Sequence, residues 1–198
     1  CMGIITLTEG DILLDGISVV KDPIVCKRSM AYVPDTPRLE EYMTGMQYLN
    51  FVCDIYQVPS KERQQNIERL IHAFQMEPHI SGLISSYSHG MKQKVALIAA
   101  FSHNPKFLVL DEPFVGLDPE AFIALEDQMK MLCRKRSSVL FSSHILDVVE
   151  KLCNKISIIK DGRLLYSGTT EELIGVEGLE EAFMELNSNE RFDPSIEK

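Results

Sequence analysis

Three short oily runs, "MAYV" at 30–33, "FLVL" at 107–110 and "SVLF" at 138–141, lie far apart in the chain, with segments of helical period between them. Runs of four residues without polar alternation suit buried strands, and parallel pairing of such strands requires long crossovers, usually helical. The layout predicts an α/β fold with a mostly parallel sheet. The middle run constrains function as well as fold. It ends in two adjacent acids, Asp111 and Glu112, then Pro113, and a further acid, Asp118, stands before Pro119.

The rest of the chain fits around those strands. "DILLDGISVV" (11–20) and "ISIIKDGRLLYSG" (156–168) each carry an Asp-Gly pair between apolar runs, Asp15-Gly16 and Asp161-Gly162, which predicts two small antiparallel hairpins. Residues 44–101 hold no strand-like run, so an all-helical insertion is expected, with helices near 44–56 and 60–75 and a third starting near Ser88. Its loops carry Pro59 and Pro78. Segment 119–134 reads as a helix with Asp118 as N-cap, Pro119 in the first turn, and Phe122, Leu125, Met129 and Leu132 on one face. The C-terminal stretch reads as one or two short acidic helices and a polar tail, "NSNERFDPSIEK".

Composition excludes several roles. At 198 residues and 45% hydrophobic, the chain can bury the core of one compact domain with a subdomain. A net charge of −9 argues against a nucleic-acid partner, because that affinity rests on Lys and Arg neutralising phosphates. The five cysteines are scattered, which predicts neither a disulfide framework nor a metal knuckle and fits a reducing cytoplasm. The longest apolar stretch, "VALIAAF" at 95–101, is far short of the roughly 20 residues that span a bilayer, so any membrane role is expected to be indirect.

In a doubly wound parallel sheet, ligands sit beyond the carboxyl ends of the strands, where the middle run delivers Asp111 and Glu112. Side chains alternate along a strand, so if extended geometry persists the two carboxylates face different ways and can hold two jobs, one on a metal ion and one on a water. "SVLFSSH" delivers His144 in the same manner. The alternative is that the acids are solvated or salt-bridged and His144 is a surface residue. "SYSHGMKQK" (86–94) opens the third helix of the insertion, with Ser88 and Gly90 at its start and Met91, Val95 and Ile98 on one face. Lys92 and Lys94 fall in its first turns, where the helix dipole disfavours cations, and a bound anion would relieve the conflict. An ordinary N-cap at Ser88 with solvated lysines is the other reading.

In order and spacing these segments resemble the nucleotide-binding subunit of bacterial ABC transporters, over nearly the whole chain from "TEGDILLDG" to "GLEEAFMEL". "FLVLDEP" is similar to the Walker B strand, "GLDP" to the D-loop, "FSSH" to the switch-histidine loop and "YSHGMKQK" to the ABC signature. The resemblance implies a P-loop NTPase fold. Residues 1–37 would be a partial ATP-binding core, 38–101 the helical signature subdomain, 102–170 the rest of the core and 171–198 a C-terminal helix and tail.

Three departures stand out. Tyr87 and His89 replace the Leu and the first Gly of the commoner Leu-Ser-Gly-Gly, a variant that resembles export-type members. The usual Q-loop glutamine position, after "MAYVP", holds Asp35, which is shorter but still able to bind Mg²⁺ or its water. No G-x-x-x-x-G-K-[ST] motif occurs in the sequence, although that loop supplies the amides and lysine that hold phosphates. Together with the initial Cys1, this leads us to expect an N-terminally incomplete sequence lacking its first strands and P-loop, inactive as it stands.

For the complete protein the resemblance implies ATP and Mg²⁺ as ligands and a head-to-tail pair of nucleotide-binding subunits, as homo- or heterodimer. Ser88, His89 and Gly90 of one would face ATP held by the other, with Asp118 in the D-loop. Asp111, with Asp35, would hold Mg²⁺; Glu112 would polarise the attacking water and His144 would contact the γ-phosphate. The helical insertion and the Asp35 loop would receive a cytoplasmic helix of a transmembrane permease, placing the chain at the inner face of the membrane. Two rivals stay open: a soluble ABC ATPase unlinked to transport, and a non-hydrolysing dimerisation or regulatory module.

Overall fold

The computed structural model describes residues 2–174 and 178–188, and the chain divides into two compact units, Cys1–Ser142 and Ser143–Lys198. In the first unit, β1 (Leu13–Leu14) and β2 (Ile17–Ser18) pair antiparallel across a turn in which Asp15 and Gly16 take φ of 51° and 80°. Positive φ at both central residues is what a two-residue hairpin of this hand demands. A short helix α1 (Pro23–Lys27), absent from the sequence expectations, leads into β3 (Met30–Val33).

The helical segment follows as α2 (Gly45–Ile55), α3 (Ser60–Ala73) and α4 (His89–Ser102). Thr44 opens α2 with a reciprocal cap: its hydroxyl accepts the Gln47 amide at 3.2 Å while the Gln47 side chain accepts the Thr44 amide at 2.9 Å. Before α4 the chain passes through a 3₁₀ turn (Ile84–Ser86) and the buried Tyr87, whose hydroxyl donates to the carbonyls of His79 and Gly82 at 2.7 and 3.1 Å. Expected to bury one face, α4 buries nearly all its circumference from Gln93 to Ser102, because α2, α3, β3 and α5 surround it.

Next come β4 (Phe107–Asp111), α5 (Pro119–Arg134) and β5 (Ser138–Ser142). The sheet order is β3-β4-β5, all parallel, with Val33 beside Leu110 and Asp111 beside Ser142. Leu108 and Leu110 of β4 are buried on one face, yet β5 leaves Leu140 50% exposed. The expectation of three buried strands fails there because, among the described residues, β5 has a strand neighbour on one side only. On α5 the buried positions are Ala121, Ala124, Leu125, Glu126, Gln128, Met129 and Leu132, while Phe122 is half-buried and packs at a tilt against Phe114, 4.5 Å between ring centres.

The second unit packs α6 (Leu146–Leu152), the antiparallel pair β6 (Lys155–Lys160) and β7 (Arg163–Thr169), α7 (Thr170–Ile174) and α8 (Leu179–Ser188) around Ile156, Ile158 and Leu179. Asp161 and Gly162 turn its hairpin with φ of 52° and 75°. Of the expected polar tail, Asn187 and Ser188 end α8, and 189–198 lie outside the described residues.

Candidate functional site

Parallel pairing brings the carboxyl ends of β3, β4 and β5 to one edge, and with them Asp35, Asp111, Glu112 and Ser142. The Ser142 hydroxyl donates to Asp111 Oδ1 at 2.6 Å and accepts the Glu112 amide at 3.0 Å. Extended geometry does not persist past Asp111: Glu112 takes φ of 44°, in the left-handed region. That conformation costs a side-chain-bearing residue about 1–2 kcal/mol, which the amide bond to Ser142 helps to offset. The Glu112 carbonyl then accepts from Val115 at 3.2 Å, closing the turn. Asp35 accepts the Thr36 amide at 2.7 Å. Burial and the nearby charges of Asp111 and Asp35 raise the Tyr32 phenol above its usual range, so both carboxylates act on this edge of the sheet.

A second group forms where α4 starts. Ser88 Oγ accepts the Met91 amide at 3.3 Å and caps the helix. Its lysines have carboxylate partners within the fold: Lys92 pairs with Glu41 at 2.6 Å and Lys94 with Asp118 at 2.5 Å. Asp118 also accepts the Ala121 amide with its other oxygen at 2.8 Å, capping α5. The Lys94 hydrogen bond is the chief reason that the Asp118 carboxyl lies below its usual range. Backbone packing joins the same two segments. A Cβ on Gly90 would stand 2.7 Å from the Gly116 carbonyl oxygen, and one on Gly116, whose φ is 77°, would stand 3.1 Å from the His89 ring.

The sequence-predicted residues thus fall into three places: Asp35, Asp111 and Glu112 on the sheet edge, Ser88, His89 and Gly90 with Asp118 at the α4 start, and His144 in the second unit. His144 is exposed in the bend before α6, where Ser143 Oγ accepts the Ile145 amide at 3.1 Å. Among the described residues no group of three or more His, Cys, Asp and Glu side chains is gathered into a metal cage. Sequence reasoning missed Ser142, whose only signal is its register beside Asp111.

Comparison with known proteins decides the family. The family model described as ABC transporter matches residues 1–115, from the chain's start through the strand that ends in Asp111 and the turn that follows it. The chain belongs to the ABC transporter family of ATPases. This ABC ATPase chain is 33% identical over 184 residues to ABC-type transporter ATP-binding protein EcsA of Bacillus subtilis, covering 93% of the chain and 74% of EcsA. It is 32% identical to the uncharacterized ABC transporter ATP-binding protein YxlF of Bacillus subtilis, covering 86% of the chain and 56% of YxlF, so it spans only about half of that relative. A solved structure described as an ATP binding subunit of an ABC transporter superposes with a TM-score of 0.90 at 31% identity, covering 94% of this chain and 80% of that one. No described helix of the ABC ATPase chain is long and apolar enough to cross a membrane.

Proposed function

We propose that the full gene product hydrolyses ATP to drive transport, in the export direction, by a membrane-embedded partner, through ATP-dependent pairing of two nucleotide-binding subunits. The observation that carries this reading is the meeting of Asp35, Asp111 and Glu112 at the carboxyl edge of the parallel sheet, with Asp111 and the Glu112 backbone held by one hydroxyl. Magnesium takes only one or two carboxylates and otherwise waters and phosphate oxygens, so Asp111 with Asp35 is a fitting donor set. When bound it supplies positive charge that offsets the charge on the phosphates.

Asp111 and Asp35 would hold the metal, and Glu112 would orient the attacking water and take its proton. His144 would contact the γ-phosphate. Ser88, His89 and Gly90, with Asp118 behind them, would face nucleotide on a partner subunit. Residues 38–101 act as the signature subdomain inserted between core segments 1–37 and 102–170, with 171–198 as a C-terminal appendage. The groove formed by that subdomain and the Asp35 loop would receive the permease, which places the chain at the inner face of the membrane. Export rests on the Tyr87-Ser88-His89-Gly90 variant of the signature.

Glu112→Gln in the full gene product tests this. Turnover should fall by roughly 10²–10⁴, the usual contribution of a general base, with Mg-ATP binding and ATP-dependent dimerisation retained. Hydrolysis near the wild-type rate would overturn the assignment.

A further inference from the structure

We propose that Ser142 is a positioning residue that sets both acids of the site through a single hydroxyl. Its Oγ stands 2.6 Å from Asp111 Oδ1 and 3.0 Å from the Glu112 amide nitrogen. The amide can only donate, so the one hydroxyl proton is committed to the Asp111 carboxylate. Asp111 is thereby tied at one oxygen, and the peptide that starts Glu112 is tied at its nitrogen, where the chain leaves the strand at φ 44°. Without the hydroxyl the Glu112 amide loses this acceptor, and the left-handed turn that aims its side chain loses a support. The strand register makes the arrangement possible, because Asp111 and Ser142 are direct neighbours across the β4–β5 ladder.

The kinetic consequence rests on the ATPase reading; the structural one does not. The experiment compares Ser142→Thr with Ser142→Val in the full gene product, two β-branched side chains of one shape that differ in the hydroxyl. Hydrogen exchange at the Glu112 amide, read without nucleotide, should stay near wild type in the Thr variant and speed up about tenfold in the Val variant. Steady-state hydrolysis across a magnesium titration should show kcat lowered about 10- to 100-fold in the Val variant, with more magnesium needed for half-saturation, and recovery in the Thr variant. Where Ser142→Val fails to fold, Ser142→Ala takes its place. Equal exchange in the Thr and Val variants overturns the proposal, as does equal kinetics. A wild-type protein without hydrolysis sinks the ATPase reading instead, and the exchange result still decides whether the hydroxyl holds Glu112.

Discussion

Lys94 and Asp118 are joined by an ion pair of 2.5 Å, and Asp118 spends its other oxygen on the first turn of α5. One carboxylate therefore fastens the start of α4 to the start of α5. Replacing Lys94 by Met removes the pair and leaves the cap. The Asp118 carboxyl is depressed, so its contribution is present above the unfolded-state pKa and is lost as pH falls through the lower folded value. Stability of the wild type should thus drop more steeply than that of Lys94→Met on acidification below the ordinary aspartate range. At neutral pH the partly exposed pair is worth about 1 kcal/mol or less. Urea melts at neutral and acid pH check both statements; parallel acid limbs would refute them.

Gly90 offers a steric test of the same junction. A Cβ there meets the Gly116 carbonyl oxygen, a backbone atom that cannot swing aside. Gly90→Ala should cost about 1–3 kcal/mol, the usual range for overpacking, and should displace the α4 start from the 114–118 turn. Thermal unfolding measures the first, and a structure of the variant the second.

Tyr87 stands where the commoner signature has Leu, and its hydroxyl closes the 79–82 loop. Tyr87→Phe keeps the ring and leaves carbonyls without this donor, so a loss of about 1–2 kcal/mol is expected. An unchanged melting temperature would show that the hydroxyl is dispensable.

Gln93 is 0% exposed, and neither its amide nitrogen nor its oxygen has a hydrogen-bond partner. Burying an amide unpaired is costly, so Gln93→Met, similar in volume, should raise stability by about 1 kcal/mol or more. A variant less stable than wild type would mean that the amide makes an interaction the structure does not display.

Local signals carried much of the fold. Asp15-Gly16 and Asp161-Gly162 named their hairpins because few residue pairs accept two positive φ angles, and Ser88 and Asp118 named their helix starts because a cap is a contact within one turn. What escaped depends on which distant segments become neighbours. Lys92 and Lys94 looked like a dipole conflict because Glu41 and Asp118 arrive only through tertiary packing. The left-handed Glu112 and its tie to Ser142 follow from strand register, which no run of apolar residues encodes. Helix α1 was too short for a period to show, although Asp22 and Pro23 marked its start.

Between Val33 at the end of β3 and Phe107 at the start of β4 lies the whole helical segment. Joining such distant strands is slow, while the helices between them pair at shorter range, so α2, α3 and α4 are expected to gather first and the sheet to close around them. Pulse-labelled hydrogen exchange during refolding would show amides of α2–α4 protected ahead of those of β3 and β4. A chain paused between those stages would leave Met30, Leu108 and Leu110 uncovered on unpaired strands, and at high concentration they offer neighbouring molecules an adhesive edge. The connection that delivers Asp35 and Asp111 to one rim is thus expected to make the yield of folded chain fall as its concentration rises.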